Sequence, residues 1–464
     1  MSTVSTTGTI SSAGIGSGLD VNSLVTQLVA AERAPQDRQL ATATTTTNGQ
    51  LSAYKAIQAA MTSLQTAEKA LQGGTGAFGN RSAVSADETV FSATAASGAV
   101  PGAYSIEVKS LATANKLAST GFASTATAIG TGHLTIAVGS SQFSLDIDST
   151  DNTPTGIRDA INDAAGNTGV TASLITADDG VHVVLSAKET GTSHAITVTA
   201  SGGDGGLNSL VYDPANNNKH LTELTKAIDA VVSVEGYPYT SASNLVSGSI
   251  PGVTIDLISA KPGTTLNLSV SRDTSGVSSA VQNFVSAYNS FANIIKATTA
   301  YDPTTKAASW LTGDSLARSA QAQIRNALIA TTAGTTGGVR SLFDLGISTG
   351  DDGTLSLDSS KLNIALSGNF DAVATLFSST GAVGSAMQHV LDGFIGTSGA
   401  LGSRTDSLTK RLGTIGTQRT QLDARMAAIQ ARYTAQFSAL DTLMSQMNAT
   451  STFLTNQFSP KTTS

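Results

Sequence analysis

The sequence predicts a multidomain α+β protein: terminal coiled-coil or helical-bundle legs formed by both chain ends, with central β-rich head domains. Three observations carry this. Toward the C-terminus, Leu408, Leu412, Ile415, Leu422, Met426, Ile429, Tyr433, Phe437, Leu440, Met444, Met447 and Leu454 recur in steps of three, four or seven. Near the N-terminus, Leu40, Ala43, Thr47, Gln50, Tyr54, Ile57, Met61, Leu64, Glu68 and Leu71 step by three and four without a break. Between these stripes the period changes to two, with Gly and Pro turns, as in Tyr104-Ser105-Ile106-Glu107-Val108. A period of three and four turns one narrow helix face toward a partner helix, and alternation turns one face of a strand toward a core. Both stripes are satisfied together if the termini meet and the middle is held out as a head.

Each element follows in order. Asp20 is positioned to cap a helix carrying Val21, Leu24, Val25, Leu28 and Val29, which Pro35 is expected to interrupt. A second helix is expected over about 37–72, stopped by Gly73-Gly74. Within 126–210, Leu134–Val138 and Phe143–Ile147 form a hairpin candidate, and Pro154 to Ala165 reads as a short helix with Ile157 and Ile161 four apart. Val170–Thr176 and Val181–Leu185 flank an Asp178-Asp179-Gly180 turn, and Ile196–Val198 reads as a further strand. Val231–Glu235, Val253–Ile258 and Leu266–Val270 are expected to rejoin the sheet begun in 76–125, which makes the intervening unit an insertion. From Val277 the spacing through Val281, Phe284, Tyr288, Phe291 and Ile295 is helical again. Asp314 or Ser315 caps a helix through Ile324 and Leu328, and Asp358 caps one containing Leu362 and Leu366.

The expected division is therefore nested: 1–40 with 408–464 as a terminal leg, disordered or coiled coil, and 41–75 with 275–407 as a helical domain. Inside these lie 76–125 with 226–274 as a β-rich head domain, and 126–225 as an inserted α+β head domain. At 464 residues the chain has room for roughly three or four domains of ~100–200 residues.

Composition narrows the function. Only 13% of residues are charged and 5% aromatic, so the large anchors of a tight small-molecule pocket are scarce. The absence of cysteine excludes disulfides, thiolate catalysis and Cys-ligated metals. Residues 1–18 are Ser/Thr/Gly-rich and expected to be disordered, and the N-terminus lacks the basic and apolar regions of a secretory signal. No run approaches the ~18 apolar residues that cross a bilayer, so no membrane insertion is expected. Residues 401–464 carry seven Lys/Arg against three Asp. Arg404 and Arg411, and Arg425 and Arg432, lie seven apart without interleaved aromatics, which reads as solvated flanking charge and not as a nucleic-acid surface.

Sites of chemistry are weak. Gly14-Ile15-Gly16-Ser17-Gly18 lacks the strand that precedes a phosphate loop. Gly346-Ile347-Ser348-Thr349-Gly350 matches a hydrolase elbow in letters, but an Asp-Asp-Gly turn follows it and only His389 lies downstream, so a turn is expected there. The five histidines have no ligand spacing, and Asp146, Asp148 and Asp151 lack the Gly and terminal Glu of a calcium loop, which makes a solvated turn the expectation. Neither metal nor cofactor is expected, and no enzymatic activity.

Several segments resemble a known family. Gly16-Ser17-Gly18-Leu19-Asp20-Val21-Asn22-Ser23-Leu24-Val25 with Gln27-Leu28-Val29, and Arg432-Tyr433-Thr434-Ala435-Gln436-Phe437-Ser438-Ala439-Leu440-Asp441 with 447–454, are similar to the two ends of hook-associated protein 2, the flagellar filament-cap family. Trp310-Leu311-Thr312-Gly313-Asp314-Ser315, Leu345-Gly346-Ile347 and Asp352-Gly353-Thr354-Leu355 also look like family segments, and 133–198 resembles an insertion shared by flagellar axial proteins. The resemblance implies export through the flagellar type III apparatus and residence outside the cell at the filament tip. It implies a ring-shaped homo-oligomer, often a pentamer, that retains flagellin and promotes its insertion. A hook–filament junction protein and an export chaperone are the further implied partners. The candidate partner and oligomer contacts are the stripe residues Leu24, Leu28, Leu40, Tyr54, Ile57, Met61, Leu64, Leu412, Ile415, Leu422, Met426, Ile429, Tyr433, Phe437 and Leu440. Other readings are a different axial protein, such as a junction or flagellin-like protein, or a surface adhesin acting through the β-rich head.

Overall fold

A computed structural model describes residues 20–73, 76–167, 169–332 and 338–458. The glycine-rich segment 14–18 and the start of the N-terminal signature lie outside the described residues. The chain divides into two compact units, one of residues up to 69 together with 281–464, the other of 70–280.

The first unit is helical: α1 (Val21–Leu71), α3 (Thr274–Thr299, from Val281 onward), α4 (Ser315–Leu328), α5 (Ser359–Phe377), α6 (Ala382–Ile395) and α7 (Ala400–Phe458). Helix α2 (Pro154–Asp163) belongs to the second unit. The α3 stripe Val281, Phe284, Tyr288, Phe291 and Ile295 is buried throughout, and Phe284 meets Phe377 of α5 edge to face at 5.9 Å. Asp314 caps α4 by accepting the Ala317 N–H at 2.9 Å, and Asp358 caps α5 through the Ser360 and Lys361 N–H groups. A small hairpin of Ile347–Thr349 and Leu355–Leu357 is tied to α3, because the Asn289 amide both donates to the Leu355 carbonyl and accepts from its N–H. Ser348 therefore lies on a strand and not in the expected turn. Its Oγ sits 2.8 Å from Ser356 Oγ across the hairpin, where a nucleophile's base would have to be.

The second unit holds two β cores. A five-stranded antiparallel sheet runs Arg81–Ser85, Leu266–Arg272, Gly102–Ser110, Ala230–Val234, Tyr237–Ser241, and a three-stranded sheet of Leu245–Ile250, Val253–Leu257 and Phe91–Ala95 completes it. Phe91, Ile106, Val108, Val232, Val246, Ile255 and Leu268 form the shared core. Strands from before 111 and after 229 thus alternate in one sheet. Two of these strands, Tyr237–Ser241 and Leu245–Ile250, go beyond the sequence reading, which ends its strand at Glu235. There Glu235 (φ 52°) and Gly236 (φ 84°) form a two-residue turn, with Val234 opposite Tyr237.

The second core combines a five-stranded sheet containing the hairpin Gly132–Val138 and Ser141–Ile147 with a four-stranded one containing Val170–Ala177 and Gly180–Thr190. Leu134 opposite Leu145 and Ile136 opposite Phe143 set the hairpin register. Helix α2, capped by Thr153 and started by Pro154, buries Ile157 and Ile161 against this core. Ala114–Ala118 pairs with Gly180–Thr190, so the shared sheet begins upstream of residue 126. Asp148 accepts the Thr150 N–H and hydroxyl and Asp151 accepts the Asp148 N–H, a local turn network that draws the Asp148 carboxyl below its ordinary pKa, chiefly through the Thr150 hydroxyl.

Candidate functional site: the paired terminal helices

Helix α1 begins as expected, with Asp20 Oδ1 accepting the Ser23 N–H at 3.0 Å. It does not break at Pro35 but runs unbroken to Leu71. A proline removes one backbone hydrogen bond and crowds the preceding turn, which costs ~3 kcal/mol in a helix interior. Val21 and Val25 are buried before it, and Tyr54, Ile57, Met61 and Leu64 are buried after it. Burial at ~25 cal/mol per Å² on both sides of the proline is enough to offset one lost bond. Gly73, at φ 57°, then stops the helix.

Four contacts define the pairing with α7. Glu32 receives the Tyr433 hydroxyl at 3.3 Å, Arg33 bridges to Asp423 at 2.6 Å, and Gln36 accepts from the Arg425 guanidinium. The Arg404 guanidinium stands 5.7 Å over the Tyr54 ring. Positions rise along α1 while their partners fall from 433 to 404 along α7, so the helices run antiparallel. Two of the arginines read from the sequence as a solvated flank, Arg404 and Arg425, thus reach across to α1. Their seven-residue spacing was the available signal, but spacing cannot say what faces a charge.

Burial along this pair is uneven. Tyr54, Ile57, Met61 and Leu64 have no exposed surface, and Ile415, Leu422 and Met426 are buried. Leu40, Leu412, Ile429, Tyr433 and Phe437 are half-buried, while Leu24, Leu28 and Leu440 are exposed. In the first turns Val21 and Val25 take the inward face instead of Leu24 and Leu28. Beyond Phe437, the α7 residues Leu443, Met444, Met447, Phe453 and Leu454 are exposed as well.

Tyr54 is the junction of the site. Its hydroxyl donates to Asp314 Oδ2 at 2.6 Å, and the other oxygen of that carboxylate caps α4. One side chain thereby joins α1, α4 and α7. Burial, and then donation to a carboxylate, push the phenol up to about 12. Close by, the indole of Trp310 lies where a Cβ on Gly49 would be, 2.2 Å from that position. The residues that sequence reasoning missed here are Asp314 as an acceptor and Gly49 as the seat of Trp310.

The comparisons with known proteins agree with this plan. Family models for the flagellar hook-associated protein 2 N-terminus and C-terminus match residues 17–115 and 227–449, and the flagellin hook IN motif matches 133–189. The B-type flagellar hook-associated protein 2 of Pseudomonas aeruginosa is 36% identical over 94% of each chain. Flagellar hook-associated protein 2 of Escherichia coli K12 is 31% identical over 97% of this chain and 98% of its own. The solved D1-D2-D3 domains of the flagellar cap protein FliD from Escherichia coli superpose with a TM-score of 0.62 at 30% identity, covering 77% of this chain and 99% of that one.

Terminal helices that pair within one unit, together with these relatives, define the class of flagellar filament-cap proteins. The chain belongs to the flagellar hook-associated protein 2 family. The junction-protein and flagellin-like readings are not favoured by this match.

Proposed function

We propose that this chain assembles as a ring at the flagellar tip, retains flagellin delivered there, promotes its folding and insertion, and shifts as the filament grows. Its role is structural, without bond-making or bond-breaking. Export by the flagellar type III apparatus, with a chaperone before secretion and a hook–filament junction protein as neighbour, belongs to the same reading, as does the nested four-part division of the chain. The stripe residues from Leu24 to Leu440 are its proposed partner and oligomer contacts. The observation that carries the reading is the pairing of α1 with α7. Below Tyr54 this contact rests on a few buried side chains, such as Ile415, Leu422 and Met426, beside half-buried residues and exposed polar bridges that are each worth little. Contacts of that kind break and re-form readily, as a cap that moves with every added subunit requires. Replacing Leu412, Leu422 and Ile429 together with Asp is expected to abolish filament growth and release flagellin into the medium. Filaments of normal length on cells carrying that variant would refute the role of the stripe.

A further inference from the structure

We infer that His182 is a proton-operated staple in the second β core. As a cation its ring fastens the segment 119–122 to the turn at 178–180, and that end of the core loosens when the ring loses its proton.

The backbone brings segment and turn together. Phe122 and Val181 exchange both of their hydrogen bonds, at 2.7 and 2.9 Å, and the Ser119 N–H donates to the Val183 carbonyl at 3.0 Å. The approach is so close that a Cβ on Gly180, at φ 133°, would stand 2.6 Å from the Phe122 carbonyl oxygen. Ser119 is buried, and its hydroxyl accepts the Val183 N–H. Phe122 packs against the core behind it.

His182 reaches over this crossing. Its Nδ1 stands 2.8 Å from the Ser119 carbonyl oxygen, and its Nε2 stands 2.9 Å from Asp179 Oδ1. Both partners are acceptors, because a carbonyl has no proton to give and an ionised carboxylate has none either. A neutral imidazole has one N–H and would leave a lone pair against one of these oxygens. The cation has two and satisfies both. The Ser119 carbonyl first, and then the Asp179 carboxylate, hold the ring's proton more tightly than an ordinary histidine holds it, and the same bond draws the Asp179 carboxyl below its usual range.

The surrounding charges leave this pairing undisturbed. Asp178 and Asp179 lie in the turn, while Val170–Ala177 and the segment 119–122 contain no charged residue. On the adjoining strand Lys116 stands opposite Ser186, and Lys188 and Glu189 lie further along His182's own strand. Helix α2, with Arg158, Asp159 and Asp163, packs on the face to which Val183 and Leu185 point, opposite to His182. His194 offers a contrast. Its ring also meets a carbonyl and a carboxylate, those of Thr190 and Glu189, but both belong to the stretch of chain just before it. The Ser119 carbonyl is 63 positions from His182, so only His182 joins separate parts of the core. Because the folded ring binds its proton more tightly than the unfolded one, the staple contributes fully below about pH 6.5, the ordinary histidine value. It is lost as the pH rises through the raised folded value.

The test uses the full chain with isotope-labelled histidine rings, followed by NMR. The signal missing from His182→Gln identifies the ring. It is expected to titrate above the ordinary value, and Asp179→Asn is expected to bring it down. Amide exchange at Phe122 and Val181 is then compared between parent and His182→Gln at matched pH. The variant is expected to exchange at least about threefold faster near pH 5, as loss of a part-exposed charged bond allows, with the ratio falling toward one near pH 9. An unchanged circular dichroism spectrum shows that the variant is folded. Should it unfold, the ring whose titration moves in Asp179→Asn identifies His182, and the titration alone decides. A ring that titrates at or below the ordinary value overturns the proposal, as does an exchange ratio that stays constant with pH.

Discussion

Helices α1 and α7 pass through two environments. Around Tyr54, Ile57, Met61 and Leu64 the stripe is completely enclosed and joined by a hydroxyl–carboxylate bond to α4. Some twenty residues earlier in α1, the same period of three and four continues through Leu40, but burial there is mixed: Ile415 and Leu422 of α7 are buried, while Leu40, Leu412 and Ile429 are half-buried. One pattern therefore yields rigid packing where several helices surround it and a shallow contact where one does. Periodicity reports which face is turned inward. The number of neighbours decides how much that face is worth.

This contrast predicts its own ranking of effects. Met61→Ala in the enclosed stretch is expected to cost about 2–5 kcal/mol, as buried methionine-to-alanine changes do, and Leu412→Ala well under half of that, both read by denaturant unfolding. Equal losses would erase the distinction between the two stretches. Tyr54→Phe comes next, at about 1–2 kcal/mol for the lost bond to the Asp314 carboxylate. Its pH signature is specific, because the folded phenol stands at about 12 while an unfolded tyrosine titrates near 10. The neutral form is the one the fold favours, so this contribution is complete below about pH 10 and lost as pH rises through about 12. Tyr54→Phe should lack both that alkaline loss and the late-titrating phenol in ultraviolet absorbance.

Gly49→Ala is expected to cost less, about 1 kcal/mol or below, because Trp310 is half exposed and able to swing away. Trp310 is the sole tryptophan, so a red-shifted fluorescence maximum would record that movement, and an unchanged spectrum would deny the packing. Asp423→Asn should do least. It breaks the exposed bridge to Arg33 in the shallow stretch, and whatever effect it has should fade with added salt.

Much of this was legible in the residues. The caps at Asp20, Asp314 and Asp358, the hairpin Gly132–Val138 with Ser141–Ile147, and α2 with Ile157 and Ile161 follow from local chemistry that tertiary structure did not override. The failures have definite causes. Pro35 was expected to end a helix, and packing on both sides carries it through. Tyr237–Ser241 and Leu245–Ile250 are edge strands of mixed polarity, with too little alternation to stand out. Ser348 was expected in a turn because an Asp-Asp-Gly turn follows it, yet pairing with Leu355–Leu357 makes a strand of that segment. In the paired helices the inward stripe was readable, whereas the bridging roles of Arg404, Arg425 and Asp314 depended on what stood opposite them.

The meeting of the two chain ends also sets an order of events. Glu32 and Tyr433 touch although they stand 401 positions apart in the chain. Closing so long a loop from an open chain costs about 3 kcal/mol more than closing one of ten residues. The β units lie inside that loop, and each one that folds shortens the path between the ends. The N-terminal helix is made first, and its stretch from Glu32 to Gln36 meets its partners only once the 59 residues of α7 are made. The last segment of the chain thus acts as the latch of the helical unit, and a chain cut short at 399 would carry a finished β unit and an open clasp.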